Sequence, residues 1–229
     1  MISQASPHRR GIALVLLSFA AGSMDTIAFL ALGEVFTSAM SGNTILFGLA
    51  LGQGHLAAAS RALAAFAGYV CGVAGAAVSL KAPDHGIRRT LELELLLLVV
   101  FAGWWTVRGG VRNVPNPYGL IILSAVAMGL QGGIGRAVRV TGIPTIVITS
   151  TLTAFVGGLA ERALAHQKPL ASPVTRQQIA TFAAYLASAV IGGIAVWSGW
   201  LAVMPFVPLA AVLVLWMGLQ FGVVRLEPD

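Results

Sequence analysis

Charged residues are scarce in this chain. Only 10% of its 229 residues are Asp, Glu, Lys or Arg, while 57% are hydrophobic, and the mean hydropathy is +0.87. A soluble domain normally carries about 25% charged residues. The apolar residues also run in stretches close to the ~20 residues that cross ~30 Å of hydrocarbon. These features exclude an ordinary soluble core and predict an all-α, polytopic integral membrane protein that contacts the lipid bilayer.

Enzyme motifs and metal-binding clusters are missing as well. The single cysteine, Cys71, excludes an intrachain disulfide, and its apolar surroundings predict a small buried packing residue. The sequence contains no HExxH, GxSxG, P-loop or Cys–His cluster. Its four histidines do not cluster along the chain. We therefore predict no enzymatic activity, no metal site and no cofactor.

Basic residues exceed acidic ones, but their distribution is unlike that of a nucleic-acid-binding protein. The net charge is +6, and the fourteen Lys and Arg are scattered between apolar runs. No basic stripe with interleaved aromatic residues is present, which argues against nucleic acid as a partner. In membrane proteins such residues anchor loops and set the orientation of the spans.

Breaks rich in Gly, Pro and charge divide the chain into eight apolar segments. The clearest breaks are KAPDHGIRR, RGGVRNVPNP and HQKPLASPVTRQ, and none is long enough for a soluble domain. We therefore predict one transmembrane domain over 1–229. The segments lie near 11–32, 36–52, 57–80, 91–107, 118–135, 143–160, 177–203 and 205–224.

The two halves of the chain, about 11–107 and 118–225, resemble each other. Three matched pairs carry the likeness: TSAMSGNTILF (37–47) with TIVITSTLTAF (145–155), FAGY (66–69) with FAAY (182–185), and Gly22 with Gly129. The pairs occur in the same order in both halves, which predicts an internal duplication. Such duplication is a common plan of transporter folds.

The basic residues distinguish two arrangements of the segments, with the N-terminus in the cytoplasm. If all eight segments cross the membrane, nine Lys and Arg lie inside and five outside. If segments 36–52 and 143–160 instead enter and leave on one side, the count is eleven against three. The second count obeys the positive-inside rule better. We predict six spans plus two interrupted or re-entrant segments, in inverted halves, with eight spans as the alternative.

Both interruptions place small polar residues at membrane depth. Non-helical backbone is tolerated there only when it is buried in protein or lines an aqueous cavity. Paired interruptions in corresponding halves indicate a transporter's central site, whereas small residues also allow tight helix packing. We predict that these residues bind substrate: Ser41, Gly42, Asn43 and Thr44 in the first half, and Thr149, Ser150 and Thr151 in the second.

Four further polar side chains stand in or beside the apolar runs. Asp25 lies about fourteen positions into the first run, where a charge costs at least ~2.5–3.5 kcal/mol unless it faces the bundle interior. It is predicted to bind substrate or relay a proton, with structural accommodation as the alternative. Gln131 is predicted to bond substrate or Asp25, or to join two helices. Glu92 and Glu94 are predicted to form interfacial ion pairs with the arginines just before them.

Several of these stretches resemble the YoaK-like family of bacterial inner-membrane proteins, a domain of unknown function. AGSMDTIAFLALG followed by SGNT, and AMGLQ followed by TSTLT, carry the resemblance over essentially the whole chain. Gly132 stands where the family often has Asn, and Ser150 where it often has Gly. The resemblance implies a multi-pass protein of the bacterial inner membrane and supplies no substrate.

These observations favour secondary transport of a small solute or ion, with proton coupling through Asp25 as a hypothesis. The two polar segments would then form a site at the middle of the membrane. The alternatives are a non-transporting assembly or sensor protein, or a channel. The glycine-rich faces are compatible with a homodimer. The sequence identifies neither the solute nor the direction of transport.

Overall fold

The computed structural model describes residues 7–82, 85–110, 114–138, 148–166 and 172–224. Within these ranges the chain is helical, without strands, because a helix satisfies its own backbone hydrogen bonds in lipid. A short 3₁₀ turn, Leu201–Val203, precedes the last helix. The helices are α1 (Pro7–Ala31), α2 (Met40–Gly52), α3 (Leu56–Ser79), α4 (Gly86–Val107), α5 (Tyr118–Ala137), α6 (Ile148–Leu164), α7 (Pro173–Trp197) and α8 (Phe206–Gln220).

Six of these helices are long and apolar enough to cross a membrane, namely α1, α3, α4, α5, α7 and α8 with the 3₁₀ turn before it. Helix α2 is also apolar but has only 13 residues. At ~1.5 Å per residue it extends about 20 Å, which is shorter than the ~30 Å hydrocarbon core. The predicted all-α, multi-pass architecture is confirmed.

Contacts between helix ends fix the direction of the first spans. The Arg61 Nε at the start of α3 donates to the Gly33 carbonyl, just after α1, at 3.2 Å. The Val114 amide, just before α5, donates to the Ala31 carbonyl at 3.2 Å. The end of α1 and the beginnings of α3 and α5 therefore lie on one side of the protein.

The opposite side carries the other ends. The Gln177 Nε2 in α7 donates to the Gly11 carbonyl in α1 at 2.7 Å. The Trp216 Nε1 near the end of α8 donates to Glu92 near the start of α4 at 3.3 Å. Helices α1, α4 and α7 consequently run in one direction, and α3, α5 and α8 in the other.

This arrangement settles the number of crossings in the structure. Helix α2 connects the end of α1 to the start of α3 on the same side, so it does not cross. Helix α6 likewise lies between the end of α5 and the start of α7, which share the opposite side. The eight-span alternative is therefore wrong, and the first three spans are oriented opposite to the last three.

Among the described side chains, the charges agree with this topology. Six basic residues lie on the side where α1 begins, and two, Arg61 and Arg108, lie where α1 ends. By the positive-inside rule the first side is predicted to be cytoplasmic. The six residues are Lys81, Arg88, Arg89, Arg136, Arg162 and Arg176.

The helices form two bundles, and each bundle combines three helices of one half of the chain with one helix of the other half. The first bundle contains α2, α3, α4 and α5, and the second contains α6, α7, α8 and α1. In the first bundle α3 packs against α2 and α5, and α5 also packs against α4. In the second bundle α7 packs against α6 and α1, and α1 also packs against α8. The bundles meet through α1 with α5 and through α4 with α8. The hydrophobic core is centred on α1 and α5. In each of these two helices, 67% of the most apolar 18-residue stretch is buried.

Cys71 occupies a different environment from the one its sequence suggests. It is exposed on the outer surface of α3 rather than buried. The small residues of α3 that pack inward near Cys71 are Gly68, Gly72 and Ala76, at four-residue spacing. Cys71 precedes Gly72 by one residue, or about 100° around the helix, which turns its side chain away from that face.

Candidate functional site

The Asp25 carboxylate is the centre of the most extensive polar cluster in the described part of the chain. Asp25 is only 3% exposed although it lies in an apolar span. Its Oδ1 accepts hydrogen bonds from the Thr37 amide at 2.7 Å, the Ser38 amide at 2.7 Å and the Thr37 hydroxyl at 3.1 Å. Its Oδ2 accepts from the Ser38 hydroxyl at 2.6 Å and the Tyr185 hydroxyl at 2.7 Å. We call Asp25, Thr37, Ser38 and Tyr185 the Asp25 cluster.

Five donors fill the hydrogen-bonding capacity of this carboxylate. An ionised carboxylate accepts at about four lone-pair sites, and the two backbone amides can only donate. The salt bridge found among the described residues joins Arg88 to Glu92, so no basic side chain there neutralises Asp25. The geometry therefore fits a carboxylate whose hydration shell has been replaced by protein donors.

Asp25 positions the segment that leads into α2. Asp25 precedes the end of α1 at Ala31 by six residues, or about 9 Å. Residues 32–38 therefore turn back along α1 into the protein before α2 begins at Met40. The Asn43 side chain holds the same segment, because its Oδ1 accepts from the Phe36 amide at 2.8 Å and its Nδ2 donates to the Phe36 carbonyl at 2.6 Å.

Tyr185 reaches Asp25 because α7 packs closely against α1. A Cβ added at Gly22 would lie 2.7 Å from the Tyr185 carbonyl oxygen. Only glycine leaves room for the α7 backbone at this position. The cluster consequently joins three parts of the structure: α1, the segment before α2, and α7.

The predicted first-half residues separate into two groups. Asn43 is 1% exposed and belongs to the interior, as described above. Gly42 packs against the Phe36 ring, where an added Cβ would lie 2.8 Å from a ring carbon. Ser41 and Thr44 are exposed, and the Thr44 hydroxyl donates to the Met40 carbonyl within α2 at 2.9 Å. The structure thus brings Asn43 and Gly42, but neither Ser41 nor Thr44, to the inner face.

The predicted second-half residues lie elsewhere. The Gln131 Nε2 donates to the Leu17 carbonyl at 2.9 Å and joins α5 to α1. Its Oε1 is buried and has no hydrogen-bond partner in the structure. Thr151 is fully buried in α6, and Ser150 is half-buried. The Thr149 side chain falls outside the described part of the chain.

Three buried polar residues were not predicted as they are found: Thr37 and Ser38 were not assigned to the site, and Glu94 was assigned to the membrane surface. Thr37 and Ser38 belong to the first polar stretch but supply four of the five donors to Asp25. Glu94 was expected at the membrane surface with Glu92, yet it is fully buried with no partner for either oxygen. The two-residue spacing between Glu92 and Glu94 is the sequence signal that separates them. Side chains two residues apart on a helix point about 200° apart, so both acids cannot lie on the same face.

An open cleft of about 370 Å³ lies apart from the Asp25 cluster. It separates α6 from the start of α7 and is lined in part by Glu161, Arg162, Thr175 and Gln178. None of the predicted substrate-binding residues lines it. No group of three or more metal-ligating side chains occurs within the ranges that the structure describes.

Comparison with known proteins places the chain in a family. A family model described as "Protein of unknown function (DUF1275)" matches residues 13–219. The chain belongs to the DUF1275 family. It is 33% identical over 158 residues to the UPF0700 transmembrane protein YoaK of Bacillus subtilis (strain 168), covering 67% of this chain and 68% of the relative. No solved structure matches it.

The family assignment confirms the resemblance inferred from AGSMD, SGNT and AMGLQ. It also agrees with the six spans, because the relative is named as a transmembrane protein. The transmembrane relative and the six long apolar helices together support a multi-pass membrane protein. The Asp25 cluster of this DUF1275 protein lies wholly within the matched residues 13–219.

Proposed function

We propose that this protein is a secondary transporter of a small solute, in which the two helix bundles rock against each other. The observation that carries the proposal is the Asp25 cluster. Asp25 and Tyr185 lie in the second bundle, whereas Thr37 and Ser38 lead into α2 of the first bundle. The carboxylate thus connects the bundles on the side where α1 ends, and we assign it the role of a latch that holds this side closed.

We infer an inverted internal repeat, which supports the proposal because such repeats are a common plan of transporter folds. Exchanging each helix of the first half with its counterpart four helices later leaves the main helix pairs unchanged: α3–α5 becomes α7–α1, α2–α3 becomes α6–α7, and α4–α5 becomes α8–α1. The pairs α1–α5 and α4–α8 become themselves. The opposite orientations of the halves fit the same relation.

Individual contacts support the repeat as well. Where α1 packs against α7, Gly22 lies against the Tyr185 carbonyl group. Where α5 packs against α3, Gly129 lies against the Tyr69 carbonyl group in the same way. FAGY and FAAY, which contain the two tyrosines, are matched in the sequence. Asp25 follows Gly22 by three residues, and Gly132 follows Gly129 by three residues. Gly132 therefore occupies the position in the second half that Asp25 occupies in the first. The acidic latch would therefore belong to one half only.

The latch suggests how opening could couple to ligand or proton. Opening on this side must break hydrogen bonds that Asp25 accepts, so a cation or proton that binds the carboxylate would weaken them. A solute with hydrogen-bond donors could also replace Thr37 and Ser38. We therefore retain Asp25 as the predicted coupling group and Asn43 as a residue that positions the latch segment.

A non-transporting membrane protein is the second candidate, favoured by one observation. Asp25 and Asn43 are almost completely buried, and their hydrogen bonds are satisfied within the protein. A purely structural cluster of this kind needs no second conformation. The two functions differ in whether the bundles separate.

A ligand screen followed by a flux measurement tests the proposal. Purified protein is screened by thermal shift against metabolites, inorganic ions and pH, since a ligand that binds the native state raises the melting temperature. A stabilising ligand is then tested for counterflow into proteoliposomes. We expect counterflow with the wild-type protein and its loss in Asp25→Asn. A ligand that binds equally in both and never exchanges across the membrane would favour the second candidate.

A further inference from the structure

Glu94 is a buried acid that the latch does not use. It is fully enclosed in α4, and neither Oε1 nor Oε2 has a hydrogen-bond partner in the structure. This is unlike Asp25, whose carboxylate accepts five hydrogen bonds. A buried carboxylate without donors or counter-ions is strongly disfavoured relative to the neutral acid.

The neighbouring acid provides a direct comparison. Glu92 lies two residues earlier on the same helix, and its side chain is 42% exposed. It accepts a hydrogen bond from the Arg88 Nε at 2.9 Å and another from the Trp216 Nε1 at 3.3 Å. Glu92 therefore has the partners that an ionised carboxylate needs, whereas Glu94, on the opposite face of α4, has none.

Glu94 lies within α4, one of the six helices that are long and apolar enough to cross a membrane. It follows the start of α4 at Gly86 by eight residues, which is about 12 Å along the helix. Ionisable residues within membrane spans mark proton relays and ion pathways. Helix α4 also forms part of the contact between the two bundles, through its packing against α8.

No charged side chain on the helices that pack against α4 forms a hydrogen bond with Glu94 in the structure. Helix α8 carries no titratable side chain between Phe206 and Gln220. No residue of α3, α5 or α4 itself donates a hydrogen bond to Glu94 in the structure. The titratable or charged residues of those helices are Arg61, Tyr69 and Cys71 on α3, Tyr118 and Arg136 on α5, and Arg88, Arg89 and Glu92 on α4.

We propose that Glu94 is an intramembrane proton-binding site, protonated in this closed conformation and able to exchange its proton when the bundles part. Its use in coupling rests on the proposed transport function, but its protonation does not. Opening the contact between the bundles would admit water, which favours the ionised form and releases the proton.

Infrared spectroscopy of the purified protein in an ester-free detergent, at neutral and mildly alkaline pH, tests this proposal. A protonated carboxyl group has a carbonyl-stretch band that ionised carboxylates lack. We expect this band in the wild-type protein and in Asp25→Asn, its loss in Glu94→Gln, and its persistence in the matched control Glu92→Gln. In D₂O the band should shift as the proton exchanges.

The outcomes are separable from those of the transport experiment. No band in the wild-type protein, a band that survives in Glu94→Gln, or a band that never shifts in D₂O would each overturn the proposal. If Glu94→Gln does not fold, Glu94→Asp replaces it and should retain the band at a changed frequency, whereas an unchanged frequency would refute the assignment. The spectrum requires no solute, so a Glu94 band without any solute flux would retain the proton site and reject the transporter.

Discussion

Removal of the Asp25 side chain should destabilise the protein more than its conversion to an amide. In Asp25→Ala, the buried Thr37 and Ser38 amides lose their acceptor, while the hydroxyl donors can rotate toward other groups. Each buried donor left without a partner costs about 1–3 kcal/mol. Two such amides predict a loss of about 2–6 kcal/mol in the free energy of unfolding.

Asp25→Asn keeps an oxygen for the two amides, and its NH₂ group can donate to the Ser38 and Tyr185 hydroxyl oxygens. It loses the advantage of hydrogen bonds to a charged group, so we expect a loss of about 1–3 kcal/mol. The assay is equilibrium unfolding in mixed micelles. Ser23→Ala is the matched control, because the buried Ser23 hydroxyl bonds only within α1, to the Phe19 carbonyl at 2.8 Å. An Asp25→Ala protein as stable as Ser23→Ala would refute the reasoning.

Two further predictions concern the close helix contacts and the reach of α7. Gly22→Ala and Gly129→Ala should each lower the free energy of unfolding by about 1–3 kcal/mol or more, because the new methyl group meets backbone atoms of the neighbouring helix. Gly48→Ala should be neutral or stabilising, because nothing lies within 4 Å of the added Cβ. Thermal melting in detergent compares the three variants, and equal melting temperatures would contradict the packing. Tyr185→Phe removes one hydrogen bond to Asp25 and should cost about 1.5–3 kcal/mol in the micelle assay. Tyr69→Phe is its control, because the Tyr69 hydroxyl does not bond Asp25, and an equal effect of both would argue against the latch.

Much of the architecture follows from local sequence. Apolar runs and their Gly- and Pro-rich breaks predict the six spans, because a helix that crosses the hydrocarbon core needs about 20 consecutive apolar residues. The basic residues predict that segments 36–52 and 143–160 do not cross, and the contact of Arg61 with Gly33 agrees. The cost of a charge at membrane depth also singles out Asp25 without any structure.

The partners of Asp25 do not follow from local sequence. Tyr185 lies 160 residues away, and only the packing of α7 on Gly22 brings its hydroxyl to the carboxylate. Which polar residues of the first interruption face inward depends on where α2 begins. A start at Met40 leaves Thr37 and Ser38 in the non-helical segment beside Asp25 and turns Ser41 and Thr44 outward. A shift of one residue would rotate each helical side chain by about 100°.

The acids of α4 show what could have been predicted and was not. Glu92 and Glu94 share the same nearby arginines, so charge alone suggests the same surface ion pairs for both. Their spacing places them on opposite faces of a helix, and only one face can meet water or lipid headgroups. Helical periodicity therefore predicts one buried acid, but choosing Glu94 requires the packing of α4 against α5 and α8.

Thiol accessibility at the latch tests most directly whether the bundles separate. Cys71→Ser provides a cysteine-free background, and Thr37→Cys then places a thiol beside Asp25, at a position that is fully buried here. Ser124→Cys is the control, since Ser124 is equally buried but bonds only within α5. A membrane-impermeant thiol reagent is applied to proteoliposomes from either side. We predict that Thr37→Cys is labelled from both sides and Ser124→Cys from neither. Complete protection of Thr37→Cys from both sides would contradict the transporter.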